Sequence, residues 1–275
     1  MTSRGATLVV SFGTSFPGTL ERNIAAIERE IAAALPDMPV RRAFTSGMIL
    51  RKLARRDGVV IDDVPQALDR LYREGYRQVV VQPTHIMNGD EFEKLCAQAS
   101  AFDSMLSLRI GTPLLTELED YFALADALME SLEEPGEGEA LVLMGHGSGH
   151  YANAAYPQLE YVLQDRGWSR AFVGTVEGYP GFEEVLRRLR ERPDLHAVHL
   201  HPLMVVAGDH ATCDMAGPEA SSWRARLEAE GYAVRCTLRG LGEYAAVRRL
   251  FARHAVEEWN QLKKTQADWN AEEET

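Results

Sequence analysis

Two histidines and one glutamate stand at the ends of runs that read as β-strands. His146 follows Leu141 to Gly145, Glu177 follows Ala171 to Val176, and His210 lies just beyond Ala197 to Val205. Two imidazoles and one carboxylate make a borderline-soft donor set that suits Co2+, Ni2+, Fe2+ or Zn2+. Any one of the three alone is most simply a loop side chain. Three at matching strand ends carry more, because neighbouring parallel strands bring their carboxyl ends together where open α/β sheets keep their ligand crevice. Gly145 and Gly147 flank His146, which lets the backbone turn sharply and leaves the ring unshielded. Gly208 and the cap-competent Asp209 suggest that His210 opens a helix, and Asp214, one turn on, is placed to orient its ring.

The remaining histidines read differently. His199 and His201 alternate about Leu200 and share one face of a strand, where packing is the default. His196 and His254 look solvated. His150 is close to His146, and His85 precedes the Gly89-Asp90-Glu91 turn, so both fall within reach of a crevice. Glu91 is the stronger candidate of this group, since a carboxylate facing the site attracts a cation or accepts a proton.

The elements that must position these residues alternate throughout. Strands are expected at Thr7–Phe12, Val40–Phe44, Gln78–Gln82, Leu108–Gly111, Leu141–Met144, Ala171–Val176, Ala197–Val205 and Tyr232–Leu238, each followed by helical spacing. That rhythm predicts an α/β fold with parallel sheets flanked by helices. After the first strand, Gly13-Thr14-Ser15 is a small polar loop of the kind that holds anions on backbone N–H groups. The helix after Val40–Phe44 carries Arg51, Lys52, Arg55 and Arg56, which are solvated charges or, for Arg51 and Lys52, holders of carboxylates.

A faint duplication runs through the chain: Val79, Pro83 and Gly89-Asp90-Glu91 recur at one constant offset as Val198, Pro202 and Gly208-Asp209-His210. Two similar lobes follow. The first spans 1–135, with the C-terminal helix free to pack back on it. The second spans 140–262 and carries the three ligands, and 263–275 is a frayed polar tail. Pro135 to Glu139, polar and rich in Gly and Pro, supplies the boundary.

The totals exclude other classes. Net charge is −12 over 275 residues, which opposes a nucleic-acid surface. No apolar run approaches the roughly 20 residues of a membrane span. Three sparse cysteines without a CxxC pair suit a reducing, cytoplasmic setting.

At this point the chain resembles the anaerobic sirohydrochlorin cobaltochelatases of cobalamin biosynthesis, among the class II chelatases. The resemblance covers about residues 6 to 255. It rests on LVVSFGTS (8–15), RAFTSGMILRKL (42–53), HIMNGDEFEK (85–94), LMGHGSGH (143–150), VEGYP (176–180) and PLMVVAGDHATCDM (202–215). It implies two Rossmann-like lobes with a cleft between them, and insertion of Co2+ into sirohydrochlorin without ATP. Its metal-binding His, Glu and His fall on His146, Glu177 and His210, with His146 doubling as the proton acceptor. Its acidic cleft residue falls on Glu91. The tetrapyrrole substrate would meet Ser11, Phe12, Gly13, Thr14 and Ser15, together with Met87, Gly89 and Tyr179. His85, His150 and Asp214 would stand behind the reacting groups. Where the family often has a second histidine after His150, this chain has Tyr151. Fe2+ and Ni2+ stay open as alternative metals, and a homo-oligomer stays open as an assembly. Two other readings use the same residues: a metallohydrolase with a bound water, and a non-catalytic carrier of tetrapyrrole or metal.

Overall fold

The computed structural model describes residues 4–273, with side chains through Thr265. Among them, eight strands form two four-stranded sheets in which every pairing is parallel. The first sheet has the order β2-β1-β3-β4, from β1 (Gly5–Ser11), β2 (Val40–Phe44), β3 (Gln78–Pro83) and β4 (Ser107–Ile110). The second repeats it as β6-β5-β7-β8, from β5 (Glu139–Gly145), β6 (Ala171–Thr175), β7 (Ala197–Pro202) and β8 (Ala233–Cys236). The α/β class and the internal duplication of the sequence are therefore both present. β7 stops at Pro202 and not at Val205, because the carbonyls of Met204 and Val205 leave the sheet to accept from the N–H groups of Leu241 and Gly242.

Parallel strands need cover on both faces, and the helices supply it. They are α1 (Ala25–Ala34), α2 (Gly47–Asp57), α3 (Val64–Arg73), α4 (Asp90–Ser100), α5 (Leu118–Ser131), α6 (Ala155–Asp165), α7 (Phe182–Arg190), α8 (Trp223–Ala229) and α9 (Ala245–Glu273). The ends of α3 show how local sequence sets the boundaries. Asp63 Oδ1 accepts from Gln66 N at 2.9 Å and Gln66 Oε1 accepts from Asp63 N at 3.1 Å, a capping box. Past the other end, Gly75 takes the left-handed turn at φ 86°.

One core joins Leu8, Val10, Val79 and Val81 to Val64, Leu68 and Leu71 of α3 and Leu95 of α4. The other joins Val142, Met144, Val198 and Leu200 to Val185, Leu186 and Leu189 of α7, and includes Ala211 and Met215. Leu141, Val142, Leu143 and Met144 are all fully buried, so β5 is clamped from both sides.

Contacts divide the chain into two units, one running to Leu114 and resuming at Arg248, the other spanning Leu115–Val247. Each unit thus receives the helix that follows the other's last strand. α5 comes after β4 but packs on α6, where Arg166 pairs with Asp126 and lies over the Phe122 ring. α9 comes after β8 but packs on the first unit, with Trp259 against Gly5 and Glu258 paired to Arg109 at 3.1 Å. The boundary expected near Pro135 is therefore displaced to Leu114. The Gly/Pro-rich stretch there is only a turn from α5 into β5, and composition marks turns whether or not a unit ends at them. The tail expected from Lys263 continues α9 as helix through Glu273; residues 274 and 275 lie outside the described residues.

Candidate metal centre

The three candidate ligands meet because the sheet's ladder continues past its strands. Beyond β5 and β6, Val176 N donates to Gly145 O at 3.1 Å and Glu177 N donates to His146 O at 2.8 Å. His146 and Glu177 are therefore set side by side by backbone hydrogen bonds. On the other flank of β5, Leu203 N donates to Met144 O at 2.8 Å, and the chain then runs to a π-helical turn over His210–Met215. Ala211 and Met215 of that turn are fully buried, which pins its opposite side and turns His210 outward. Single π-turns of this kind are frequent at functional sites. Asp209 precedes the turn in helical geometry and makes no side-chain cap, contrary to its sequence reading.

One donor atom from each of His146, Glu177 and His210 lies within 4.8 Å of the others. His146 Nδ1 is 3.8 Å from Glu177 Oε2. The two imidazoles meet edge to face, with centroids 4.6 Å apart and planes at 90°. The side chains are 49%, 58% and 34% exposed in that order, so an ion bound by them keeps an open side, unlike a closed four-ligand site. Hydrogen bonding fixes the tautomers. His146 Nδ1 lies 2.9 Å from the Gly147 carbonyl, which can only accept, so Nδ1 carries the proton and Nε2 keeps a lone pair. His210 Nδ1 donates to Asp214 Oδ2 at 2.6 Å, leaving its Nε2 free as well.

Apart from Gly147, the residues that support these loops had almost no signature in the sequence. Gly147 has φ +80°, and a Cβ there would sit 2.6 Å from Gly178 N and from Thr175 Cβ, so only glycine fits between the two ligand loops. Asn153, buried at 8%, bridges them: its Oδ1 accepts from Ser148 N at 3.0 Å and its Nδ2 donates to Tyr179 O at 2.5 Å. Thr175 closes the Glu177 loop by donating to the Pro180 carbonyl through N (2.8 Å) and Oγ1 (3.0 Å), around a cis Tyr179–Pro180 bond. Tyr156 packs beneath Gly145, and its oxygen bonds to the backbone of His146 and Gly147. Burial pushes its phenol up to about 12. The available cues were Gly147 and the Tyr-Pro dipeptide; an asparagine or tyrosine on a helix is otherwise unremarkable by type and spacing.

The other sequence candidates fall elsewhere. His150 spends Nδ1 capping the turn at Tyr151, accepting from Ala152 N at 3.2 Å, and its ring stacks on Tyr151. Tyr179 is 70% exposed beside Glu177. Glu91, His85, Met87 and Gly89 belong to the first unit, around the start of α4. Glu91 Oε2 is shut from solvent without a hydrogen-bond partner, with Lys94 Nζ 3.6 Å from the same oxygen. Although His85 is partly exposed as a residue, both of its ring nitrogens are buried and unpartnered. Burial pushes its imidazole down to about 4, against the pull of the Glu91 charge, so it is neutral at pH 7. Met87 lies against Gly89.

The side chains of the loop at 11–15 mostly turn into the unit. Ser11 is 2% exposed and accepts from Thr84 Oγ1 at 2.8 Å; Thr14 is 3% exposed and accepts from Phe16 N at 3.3 Å. Ser15 is 5% exposed and gives its carbonyl to Arg56, while Gly13 (φ +105°) is covered by the Phe44 ring. The hydroxyls are consumed inside the unit, and Phe12 is the one side chain of the five that is exposed. His254 is buried beside Thr112 and not solvated, since α9 returns to the first unit. His199 and His201 are core residues.

Comparison with known proteins follows the same lines. A family model described as Cobalt chelatase (CbiK) matches residues 5–259. A sirohydrochlorin cobaltochelatase from Salmonella typhimurium is 45% identical over 250 residues, covering 90% of this chain and 94% of that protein. Sirohydrochlorin cobaltochelatase CbiKC from Nitratidesulfovibrio vulgaris is 35% identical over 248 residues, covering 89% and 86%. Among solved structures, SirB from Bacillus subtilis with Fe3+ shares the fold at TM-score 0.63 and 15% identity, over 93% of this chain and 95% of that one.

Proposed function

We propose a mechanism from one premise: the chain belongs to the cobalt chelatase (CbiK) family. It is a metal-inserting enzyme, and its reaction is the insertion of Co2+ into sirohydrochlorin with release of two protons. The metal is a substrate, so the site must hold it loosely enough to give it up. His146, Glu177 and His210 hold the incoming Co2+ on one side and leave its other side to exchange waters for pyrrole nitrogens. The carrying observation is the convergence of these three donors within 4.8 Å at ladder-linked strand ends.

The chemistry then needs an acceptor for pyrrole protons. Nε2 of His146 serves twice in sequence: its lone pair holds the metal first and, once the metal moves to the macrocycle, takes a proton. The ring is half exposed, so that proton passes on to water. Glu91 is the second proposed acid–base group, a role supported by its buried oxygen, which accepts no hydrogen bond and has only the Lys94 ammonium at 3.6 Å. No nucleoside triphosphate is needed, because metal–nitrogen bonds replace metal–water and metal–imidazole bonds. Among the described residues no helix is long and apolar enough to cross a membrane, and the unpaired Cys96, Cys213 and Cys236 support a cytoplasmic setting.

The test is the tetrapyrrole absorption shift when purified protein meets Co2+ and sirohydrochlorin, with Fe2+ and Ni2+ run in parallel. His146→Ala and His210→Ala are expected to abolish most of the Co2+ insertion rate. Full activity in His146→Ala would sink the base assignment.

A further inference from the structure

The geometry points to a carboxylate-binding subsite on α2, in which Arg51, Lys52 and Arg55 hold the acidic side chains of the tetrapyrrole. This rests on the proposed reaction, whose substrate is a polycarboxylate.

A cavity of about 430 Å3 opens on this helix, lined by Met48, Arg51, Lys52, Arg55 and Arg56. The cations in it are unevenly satisfied. Arg56 is engaged: it grips Asp57 through Nε and Nη2, at 2.7 and 2.6 Å, and donates to the Ser15 carbonyl. Lys52 stands 5.7 Å over the Phe16 ring and adds to the field on Asp57. Arg51 and Arg55 are exposed, and neither is in an ion pair with any described residue. Elsewhere in the same unit arginines are engaged, in ion pairs as in Arg41–Glu74, Arg42–Glu28, Arg70–Asp62 and Arg73–Asp69, or over aromatic rings as Arg4 on Tyr76 and Arg77 on Tyr72. Asp57 is the only carboxylate on α2.

That arrangement costs the helix something. Arg51 and Arg55, and Lys52 and Arg56, are like charges at i,i+4, which weaken a helix by a few tenths of a kcal/mol per pair. The helix dipole relieves Arg55 and Arg56 in the last turn, but not Arg51 and Lys52 in the middle. In a protein of net charge −12, acidic residues are plentiful, yet among the described residues only Asp57 is placed here, and its ion pair is with Arg56. A bare cluster of cations fits an anionic ligand that supplies the missing carboxylates.

The apolar surroundings match the rest of such a ligand. Met48 is 66%, Phe12 45% and Phe16 39% exposed. Ser46 N, at the start of α2, donates to Phe12 O at 3.2 Å, which stitches the Phe12 loop to the basic helix. A macrocycle with an apolar face and a carboxylate rim finds both kinds of surface together. The buried hydroxyls of the 11–15 loop could not play this part, and the exposed guanidinium groups can.

The test uses the full-length enzyme with sirohydrochlorin and Co2+, comparing wild type with Arg51→Ala/Lys52→Ala/Arg55→Ala. The variant is expected to raise the KM for sirohydrochlorin about tenfold, with kcat and the KM for Co2+ unchanged. Rising salt should raise the wild-type KM and leave the variant's nearly flat. Arg51→Lys/Arg55→Lys should recover most of the loss, and Arg73→Ala, a paired arginine on α3, should behave as wild type. An unchanged sirohydrochlorin KM and salt slope in the triple variant, with the wild type turning over, overturns the subsite. A wild type that inserts no metal overturns the proposed reaction instead, so the two failures are distinct.

Discussion

Removing the Asp214 carboxylate is the sharpest probe of the metal centre, because it touches orientation without touching a proposed ligand. Asp214 Oδ2 accepts from His210 Nδ1 at 2.6 Å, a short charge-assisted bond that fixes the tautomer and aims the free Nε2. Asp214→Ala frees the ring to rotate on an exposed turn. Losing such a partner lowers metal affinity about 10–100-fold, or roughly 1.4–2.8 kcal/mol at about 1.4 kcal/mol per tenfold. Folding should barely notice. The two side chains are 34% and 48% exposed, and exposed ion pairs contribute about 0–1 kcal/mol. Asp214→Asn separates the two contributions: its amide oxygen still accepts from Nδ1, so the aim survives and only the charge is lost. Titration calorimetry with Co2+ on the full-length protein should therefore rank wild type above Asp214→Asn above Asp214→Ala, at nearly constant Tm. Equal Co2+ affinity for wild type and Asp214→Ala, with both folded, would refute the claim that this carboxylate organises His210.

Two further outcomes follow from buried geometry. Gly147→Ala forces a side chain into φ +80° with its Cβ 2.6 Å from Gly178 N, at about 1–2 kcal/mol for the backbone alone. It should lower Tm and, by pushing the His146 and Glu177 loops apart, depress insertion more than Glu177→Gln does; wild-type kinetics in Gly147→Ala would show that the loops tolerate separation. His201 is fully buried, with Nδ1 on the Pro202 carbonyl and Nε2 2.7 Å from the Tyr244 hydroxyl. Burial depresses its pKa from 6.5 to about 4, so the unfolded chain binds a proton that the folded one refuses. The stability from this group is complete above pH 6.5 and is lost as pH falls toward 4, by about 3 kcal/mol at most. His85 acts in the same direction, so the measurement is the difference between wild type and His201→Gln in urea unfolding from pH 7 to 4.5. An identical pH slope in the two proteins rejects the assignment.

The strands were legible because a buried parallel strand must be continuously apolar, and runs such as Leu141–Met144 have no other natural use. The convergence of the three candidate ligands was legible because metal chemistry restricts candidates to few residue types, and these three stand at strand ends. What escaped were properties that depend on the partner. The return of α9 to the first unit was allowed by the sequence reading, but which of its faces it would bury was not legible, so His254 read as solvated when it is buried. Ser11 and Thr14 have the composition of an anion loop, but whether the Ser11 hydroxyl faces out or bonds Thr84 is decided by the residue after β3, more than seventy residues away. Asn153 joins the Ser148 and Tyr179 loops, which are distant in sequence, and a residue that bridges two backbones has no local period. Asp209 could cap a helix but does not, because the π-turn anchored by Ala211 and Met215 sets the local geometry first.

The exchange of final helices has a consequence for synthesis on the ribosome. Leu115–Val247 is one uninterrupted segment, so it can complete its contacts as soon as it has emerged. The other unit is split and lacks α9 until the segment after Val247 is made. Its sheet, translated first, waits for the far end of the chain to cover Gly5 with Trp259. N-terminal domains usually fold first during translation; here the continuous unit has that advantage over the split unit that precedes it.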